Sequence, residues 1–242
     1  MIDILYEDNH VLVALKPPNM LAQADDTGDT DLLTYLKQDL KVRYQKPGGV
    51  YLGLVHRLDR PVGGLMVFAR TSKAAARLSA QFQKHELGRE YLLIAEGQVS
   101  PSFTLIDYLV KDARLNRVSV TNADDKRAKE AVLHGKCLVQ RDNTSLCAVR
   151  LETGRNHQIR VQMSHYKHPL WGDNRYGHGI PGQQIALWGY KLRFEHPVTH
   201  QQLAFMSMPT GGIWLKYQDV LDRLWGEFQV ESGLAGYTDF VQ

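Results

Sequence analysis

The sequence predicts an α+β fold, built around a mixed, mainly antiparallel sheet that is flanked by helices. Short apolar segments with strand-like composition come in runs, and only a few helical segments stand between them. Such an order of elements is typical of α+β proteins. The chain has 242 residues, of which 43% are hydrophobic, so it can bury a large core.

In the N-terminal third, apolar segments closed by proline or glycine predict strands at residues 2–6, 11–15, 50–55 and 65–69, the last two as a hairpin. Four leucines recur at helical spacing at Leu32, Leu33, Leu36 and Leu40. They predict a helix over residues 31–44 with Thr30 as its N-cap.

The rest of the chain continues the pattern. Strands are predicted at residues 91–95, 103–110, 117–121, 131–140, 146–151, 185–194 and 202–208. Helices are predicted at residues 72–87 (closed by Gly88), 155–166 and 214–225. Two segments predict loops: residues 122–130, which are polar and predicted to be mobile, and residues 168–182, which are glycine-rich.

Charge and hydropathy restrict the class of protein. The formal net charge is only +3, so an RNA partner would require the positive charge to be concentrated on one face. A segment of about 18 apolar residues, as a membrane span needs, is absent from the sequence. The N-terminal residues lack the basic and then apolar order of a signal peptide. We therefore expect a cytoplasmic protein, and we expect it to be a monomer.

Two cysteines, Cys137 and Cys147, flank a turn-like segment at residues 141–144. They are expected to lie near each other across a hairpin, as two reduced and buried thiols, because disulfides are rare in the cytosol. Neither cysteine belongs to a CxxC or CxxH pattern, so the sequence indicates neither a redox site nor a zinc site.

The most informative pattern lies at residues 55–65. Asp59 is placed between Arg57 and Arg60, it follows His56 closely, and a glycine turn comes directly after it. Positive charges near a carboxylate favour its ionised form, which a nucleophilic or anchoring aspartate requires. The alternative is a surface carboxylate that only pairs with one of the two arginines.

This segment resembles the second motif of the RluA-type RNA pseudouridine synthases, in which His-Arg-Leu-Asp is followed by a Gly-Leu strand. Other motifs of that family have counterparts in the same order, at residues 4–8 with Lys16-Pro17, at 89–91, and at 153–160 with 168–173. The resemblance covers nearly the whole chain. Four ordered motifs are a specific signal, whereas one alone would be weak.

The resemblance implies catalytic roles for Asp59, Tyr91 and Arg160. Asp59 matches the aspartate that attacks the uridine, and attack on the sugar, attack on the base and abstraction of a sugar proton all stay open. Tyr91 matches the tyrosine that stacks on the base and is a candidate base for the proton at carbon 5. Arg160 matches the buried arginine that pairs with the aspartate and keeps it ionised. By its residues alone, Tyr91 is more typical of a core-edge position.

RNA contacts are expected from His56, Arg57, Arg60, Arg155 and His157. Arg57 matches the residue that fills the gap left when the nucleotide is flipped out, and chemistry on both faces of a base requires such flipping. A planar guanidinium suits the vacated place because it stacks and donates hydrogen bonds in one plane. The predicted helix over residues 155–166 directs Arg155 or His157 to phosphate, and the alternative is a solvated basic helix.

The family also implies an overall organisation. Residues 1–242 are expected to form a single pseudouridine synthase catalytic domain with a central cleft that holds Asp59, a core over about 1–225 and a C-terminal tail over 226–242. The opening motif begins at residue 4, which leaves no room for the family's N-terminal RNA-binding domain. The expected partner is structured ribosomal or transfer RNA, and no cofactor, nucleotide or metal is expected.

In such a domain, the RNA would be held by basic side chains of the catalytic part itself. The candidates for phosphate contacts, besides those above, are Arg43, Lys46, Lys84 and Arg175, with Lys126, Arg127 and Lys129 of the polar segment.

One departure from the family stands beside the nucleophile. Val62-Gly63-Gly64 replaces the usual Thr-Ser-Gly, so two hydroxyls are missing and a glycine is added. We expect this change to affect the geometry of the loop and the choice of substrate.

Three other functions compete with this interpretation. A metallohydrolase would use histidines such as His157, His165, His168 and His178, but no HExxH motif is present and acidic partners do not cluster near them. A nucleotide-binding enzyme lacks its GxGxxG or P-loop. A non-catalytic RNA-binding protein that retains the synthase fold is the main alternative, although all three predicted catalytic residues are present.

Overall fold

The computed structural model describes residues 1–84, 88–112 and 114–232. The chain divides into two compact units. Unit 1 comprises residues 1–88, 189–209 and 223–242, and unit 2 comprises residues 89–188 and 210–222. Helix and strand both contribute to the fold, and every strand pair whose register is resolved is antiparallel. The predicted α+β class is confirmed.

Within the described residues, the strands are β1 (Ile4–Glu7), β2 (Val11–Lys16), β3 (Gly53–Leu54), β4 (Gly63–Ala69), β5 (Gly88–Glu96), β6 (Ser102–Asp112), β7 (Arg117–Thr121), β8 (Lys129–Arg141), β9 (Thr144–Leu151), β10 (Leu187–Glu195) and β11 (Gln202–Met206). The α-helices are α1 (Leu32–Arg43), α2 (Ser72–Gln83), α3 (Gln158–His165) and α4 (Gln218–Ser232), and the turn Gly212–Tyr217 is a 3₁₀ helix.

In unit 1, the strands follow the order β1-β2-β4-β10, with β11 paired to β10 and β3 paired to β4. All seven residues of β4 are buried, as is typical of a strand covered on both faces. On one side of the sheet, Val13 of β2, Val67 of β4 and Leu78 of α2 belong to one apolar cluster. The predicted pairing of residues 50–55 with 65–69 is confirmed, although only Gly53–Leu54 of the first segment form a strand.

The ends of two helices differ from the prediction. The N-cap of α1 is Asp31, not Thr30, because the Asp31 carboxylate accepts the backbone N–H of Thr34 at 2.9 Å. Helix α2 ends at Gln83 with Lys84 as its C-cap, so the helix expected over 72–87 is too long. Residues 85–87 lie outside the described residues.

Gly64 keeps the glycine of the Thr-Ser-Gly pattern and lies directly after the two replaced residues, Val62 and Gly63. Its φ is +132°, and an added Cβ would lie 2.5 Å from the backbone nitrogen and oxygen of Gly189. Two backbones therefore cross here at a distance that no side chain permits. Val62, which stands where the family usually has a hydroxyl, is buried. The glycine is thus required by close packing of the chain in this unit.

In unit 2, the strands follow the order β5-β9-β8-β6-β7, and each neighbouring pair is antiparallel. The hairpin β8–β9 turns through Asp142 and Asn143, which have φ of 40° and 59°, as a type I′ turn requires. Cys137 and Cys147 are direct cross-strand partners in this hairpin, as predicted, and both are free thiols. Cys147 is buried, but Cys137 is only half-buried, so that part of the prediction is wrong.

Three boundaries in the second half also differ from the prediction. Helix α3 begins at Gln158 and not at Arg155, because His157 adopts a left-handed conformation with φ of 52°. The helix expected over 214–225 is two elements, the 3₁₀ turn Gly212–Tyr217 followed by α4. The predicted loop over 122–130 ends at residue 128, because β8 begins at Lys129.

The crossing at Gly64 provides a test of the packing in unit 1. Gly64→Ala should lower the free energy of unfolding by at least about 2 kcal/mol, because the added methyl meets backbone that cannot rotate away. Gly182→Ala is the matched control, since Gly182 has φ of +85° with no atom within 4 Å of an added Cβ. It should lose about 1 kcal/mol, from the positive φ alone. Urea unfolding of both variants measures the difference, and equal losses would contradict the close crossing.

Candidate active site

The loop between β3 and β4 carries the predicted nucleophile. Arg57 is exposed, Leu58 is buried and Asp59 is half-buried. The backbone N–H of Val62 donates to the carbonyl oxygen of Asp59 at 3.0 Å and closes a turn directly after it. The loop thus presents Arg57 to solvent while Leu58 anchors it to the core.

His56 holds the start of this loop. Its Nε2 accepts the backbone N–H of Val67 in β4 at 3.0 Å. The ring stacks on Phe82 of α2, with 5.0 Å between the ring centroids. An imidazole in this position accepts through Nε2, so it ties the loop to a strand and a helix of the same unit. The RNA contact predicted for His56 stays a prediction.

Arg60 forms an ion pair with Asp29 at 2.7 Å, and both side chains are about half exposed. An exposed pair of this kind is worth little stability because water screens it. The Arg60 guanidinium can therefore leave the Asp29 carboxylate and bind a phosphate at low energetic cost. This is compatible with the RNA contact predicted for Arg60.

A buried cation under the loop was missed as a functional residue. Lys16 is fully buried at the end of β2, and its Nζ donates to the carbonyl oxygens of Pro17 at 3.0 Å, Met20 at 2.6 Å and Arg60 at 3.1 Å. Burial lowers the pKa of this ammonium group to about 7, the charge of Asp59 raises it, and the charge of Arg60 lowers it further. Lys16 therefore ties the strand end to the backbone of the Asp59 loop.

Tyr91 lies in β5 of unit 2, where it is buried and pairs across the sheet with Val149 of β9. A tyrosine in such a place is held rigidly by its strand. Tyr91 and Arg160 belong to unit 2 and Asp59 to unit 1, so the roles that join these three residues stay predictions.

Arg160 is the centre of a buried charge cluster in unit 2. Its Nε and Nη2 each donate to a different carboxylate oxygen of Asp173 at 2.8 Å, which makes a side-on pair. Both side chains are at most 5% exposed. Arg160 points inward, as predicted, and its partner Asp173 is the last residue of the motif at 168–173, to which the sequence assigned no role.

The carboxylate of Asp173 is fully satisfied. Besides Arg160, its Oδ1 accepts the backbone N–H groups of Arg175 at 2.9 Å and Tyr176 at 3.1 Å. Burial alone would raise the pKa of Asp173, but the hydrogen bonds and charge of Arg160 and these two N–H groups lower it below its usual range. Asp173 therefore stays ionised although it is buried.

The side chain of Gln158 stabilises the segment before α3 through hydrogen bonds. Gln158 accepts a hydrogen bond from the hydroxyl of Thr153 and another from the N–H of Arg155, both at 2.9 Å. Arg155 donates through Nε to the carbonyl oxygen of Glu130 at 2.8 Å, although its side chain is exposed. An added Cβ at Gly154 would lie 3.1 Å from the guanidinium of Arg89, so the glycine of this motif makes room for that arginine.

His157 is held in the same segment. It is a non-glycine residue with φ of 52°, and its Nδ1 lies 2.7 Å from the hydroxyl of Tyr176. Backbone in this region is sparsely populated and persists where surrounding contacts enforce it, which is frequent at functional sites. The structure brings Arg155, His157 and Arg160 onto one short segment of unit 2, and the RNA contacts of the first two stay predictions.

None of the helices in residues 1–84, 88–112 and 114–232 is long and apolar enough to cross a membrane. In the same part of the chain, His, Cys, Asp and Glu form no group of three or more that could hold a metal ion.

The pair of Arg160 and Asp173 can be tested by removing one charge. Asp173→Asn should lower the free energy of unfolding by about 3–5 kcal/mol, because it leaves a buried guanidinium without its counter-charge. Asp219→Asn is the matched control, since Asp219 forms a similar two-bond pair with Arg141 at the surface. The control should lose far less, and urea unfolding near pH 7 compares the two.

The loss in Asp173→Asn should also depend on pH. The pKa of Asp173 is lowered on folding, so its contribution is complete above the ordinary aspartate pKa of about 3.9 and is lost as the pH falls through the lower folded value. The difference between wild type and variant should therefore shrink below about pH 4. A difference that stays constant in acid would show that the charge of Asp173 is not what stabilises the fold.

Comparison with known proteins identifies a family model and several proteins that are similar to this chain. The family model described as RNA pseudouridylate synthase matches residues 10–165. A ribosomal large subunit pseudouridine synthase D from Zymomonas mobilis is 36% identical over 216 residues, which cover 84% of this chain and 68% of the relative. A tRNA pseudouridine synthase C from Vibrio cholerae is 30% identical over 230 residues, which cover 86% of this chain and 91% of the relative.

Solved structures agree on the fold. Human RNA pseudouridylate synthase domain containing 4 has a TM-score of 0.71 at 19% identity, covering 86% of this chain and 88% of that protein. Human RNA pseudouridylate synthase domain containing 1 has a TM-score of 0.67 at 19% identity, covering 91% of this chain and 94% of that protein. The chain therefore belongs to the RNA pseudouridylate synthase family and is an RNA pseudouridine synthase of the RluA type, as its four motifs predict.

Proposed function

We propose that this synthase isomerises specific uridines in structured ribosomal or transfer RNA, with Asp59 as its nucleophile. The similar proteins named above act on the large ribosomal subunit in one case and on tRNA in the other. The observation that carries the proposal for Asp59 is the fixed loop on which it stands. Lys16 binds the carbonyl of Arg60 on one side, and His56 binds the backbone of Val67 on the other.

A fixed nucleophile fits the chemistry of the isomerisation. The bond between N1 of uracil and C1′ of ribose breaks, the base turns, and a bond forms between C5 and C1′. The proton at C5 leaves and N1 gains one, so the reaction is redox-neutral and requires no external group. A nucleophile must hold its geometry through the turn of the base, and rigid supporting contacts provide this.

The proposal assigns Tyr91 and Arg160 to the same reaction. Tyr91 stacks on the uracil and is the candidate base for the C5 proton, and Arg160 keeps the Asp59 carboxylate ionised. Asp173 fixes the guanidinium of Arg160 through two hydrogen bonds and so holds its charge in a defined place. The single catalytic domain over residues 1–242 stays a prediction. A monomeric state and a cytoplasmic location also stay predictions.

The exposure of Arg57 supports a role in base flipping, because a residue that enters a nucleic-acid stack must be accessible in the free protein. RNA affinity would come from phosphate contacts by Arg60, Arg155 and His157, and it should fall with rising salt.

Asp59→Asn tests the nucleophile at nearly constant shape. Turnover should fall by at least about 10³-fold, while RNA affinity changes by less than about threefold, because affinity rests on phosphate contacts. Asp39→Asn, an aspartate of α1 that pairs with Arg43, is the matched control and should keep full turnover. The measurement is chemical pseudouridine mapping of unmodified ribosomal and transfer RNA. RNA binding without turnover in the wild type would favour the non-catalytic alternative.

Arg57→Ala tests the flipping role. Turnover of a uridine in a structured RNA should fall by about 10-fold or more, and turnover of a uridine in a flexible single strand should fall less, because an unstacked base costs little to extrude. Arg60→Ala is the control from the same loop, and it should weaken binding of both RNAs alike. Equal losses on the two substrates in Arg57→Ala would count against a role in flipping.

A further inference from the structure

Tyr176 of unit 2 contacts several groups of the candidate site at once. The guanidinium carbons of Arg160 and Arg117 lie 5.2 Å and 5.9 Å from the centroid of its ring. Its hydroxyl accepts the backbone N–H of Val118 at 2.9 Å and lies 2.7 Å from Nδ1 of His157. No role for this tyrosine follows from the reaction as described above.

The ring complements the Asp173 pair in geometry. Asp173 binds the edge of the Arg160 guanidinium through two hydrogen bonds and so restrains it within its own plane. An aromatic ring attracts a cation through its π face and restrains it from another direction. The backbone N–H of Tyr176 donates to Asp173, so the ring and the carboxylate belong to one rigid turn.

The hydroxyl of Tyr176 contacts the imidazole of His157. A backbone N–H can only donate, so the phenolic oxygen accepts from Val118, and its own proton has an acceptor if Nδ1 of His157 is unprotonated. The ring proton of a neutral His157 then resides on Nε2. A donor at Nε2 is the form that binds a phosphate oxygen.

We propose that Tyr176 is a positioning residue for the isomerisation, which rests on the proposed function: its ring holds the guanidinium of Arg160, and its hydroxyl sets the tautomer of His157. The ring thereby acts on the chemical step through Arg160. The hydroxyl acts on RNA binding through His157. Two parts of one side chain therefore have effects that kinetics can separate.

The experiment compares three changes at one position. Tyr176→Phe removes the hydroxyl and keeps the ring, Tyr176→Leu removes both, and pentafluorophenylalanine at position 176 keeps the ring size while it reverses the charge of the π face. Tyr166→Phe is the matched control, since the Tyr166 hydroxyl donates to Ser100 and its ring stacks on Phe103. Each protein is assayed for kcat and KM on the mapped RNA, and ¹⁵N NMR follows His157 and the Arg160 Nε–H.

Each change has its own expected signature. Tyr176→Phe should raise KM by about threefold to tenfold with little change in kcat, and the His157 ring should become a mixture of tautomers. Tyr176→Leu and the fluorinated ring should also lower kcat by about 10-fold or more, with a broadened Arg160 Nε–H signal. The control should match the wild type in both assays.

Two results would overturn the proposal. An unchanged His157 tautomer in Tyr176→Phe removes the role of the hydroxyl. A fluorinated protein with the kcat and the Arg160 signal of Tyr176→Phe removes the role of the ring, even where Tyr176→Leu does not fold. If the wild type forms no pseudouridine, the proposed function fails by itself. The NMR signals then still decide whether Tyr176 positions Arg160 and His157.

Discussion

The side-on pair of Arg160 and Asp173 is the interaction on which the arrangement of α3 and the turn of Tyr176 in unit 2 depends. Burial of two charges is costly unless every donor and acceptor is satisfied, and here the carboxylate accepts three hydrogen bonds at one oxygen and one at the other. The pair joins α3 to the loop after it. His157 directly precedes α3, and the backbone N–H of Tyr176 donates to Asp173, so both residues lie next to this pair.

Unit 1 relies on a buried charge in a comparable way. Lys16 donates to the carbonyl oxygens of Pro17 and Met20 in the segment after β2, and to that of Arg60 in the loop that carries Asp59. Carbonyl groups of an irregular loop have no partners in a sheet, so a buried ammonium group satisfies several of them at once. In each unit, a buried charged side chain forms hydrogen bonds with backbone groups of an irregular segment. Those groups lie outside the helices and strands.

The fold class and most strands could be predicted because hydrophobic patterns and turn residues are local signals, as in β7, which was predicted at its observed bounds. The motif residues were found by resemblance. Asp173 was not recognised as the partner of Arg160, because 13 residues separate them and only tertiary structure joins them. Lys16 was missed because sequence marks a lysine as exposed. The start of α3 was misplaced because the conformation of His157 depends on contacts distant in sequence.

The cross-strand cysteines have a practical meaning for the redox chemistry of this protein. Burial raises the pKa of the Cys147 thiol well above its ordinary value, and the neighbouring Cys137 raises it further. Oxidants and disulfides react with thiolates and hardly with thiols. The Cys147 thiol therefore stays protonated and reacts slowly, although Cys137 lies directly across from it in the β8–β9 hairpin.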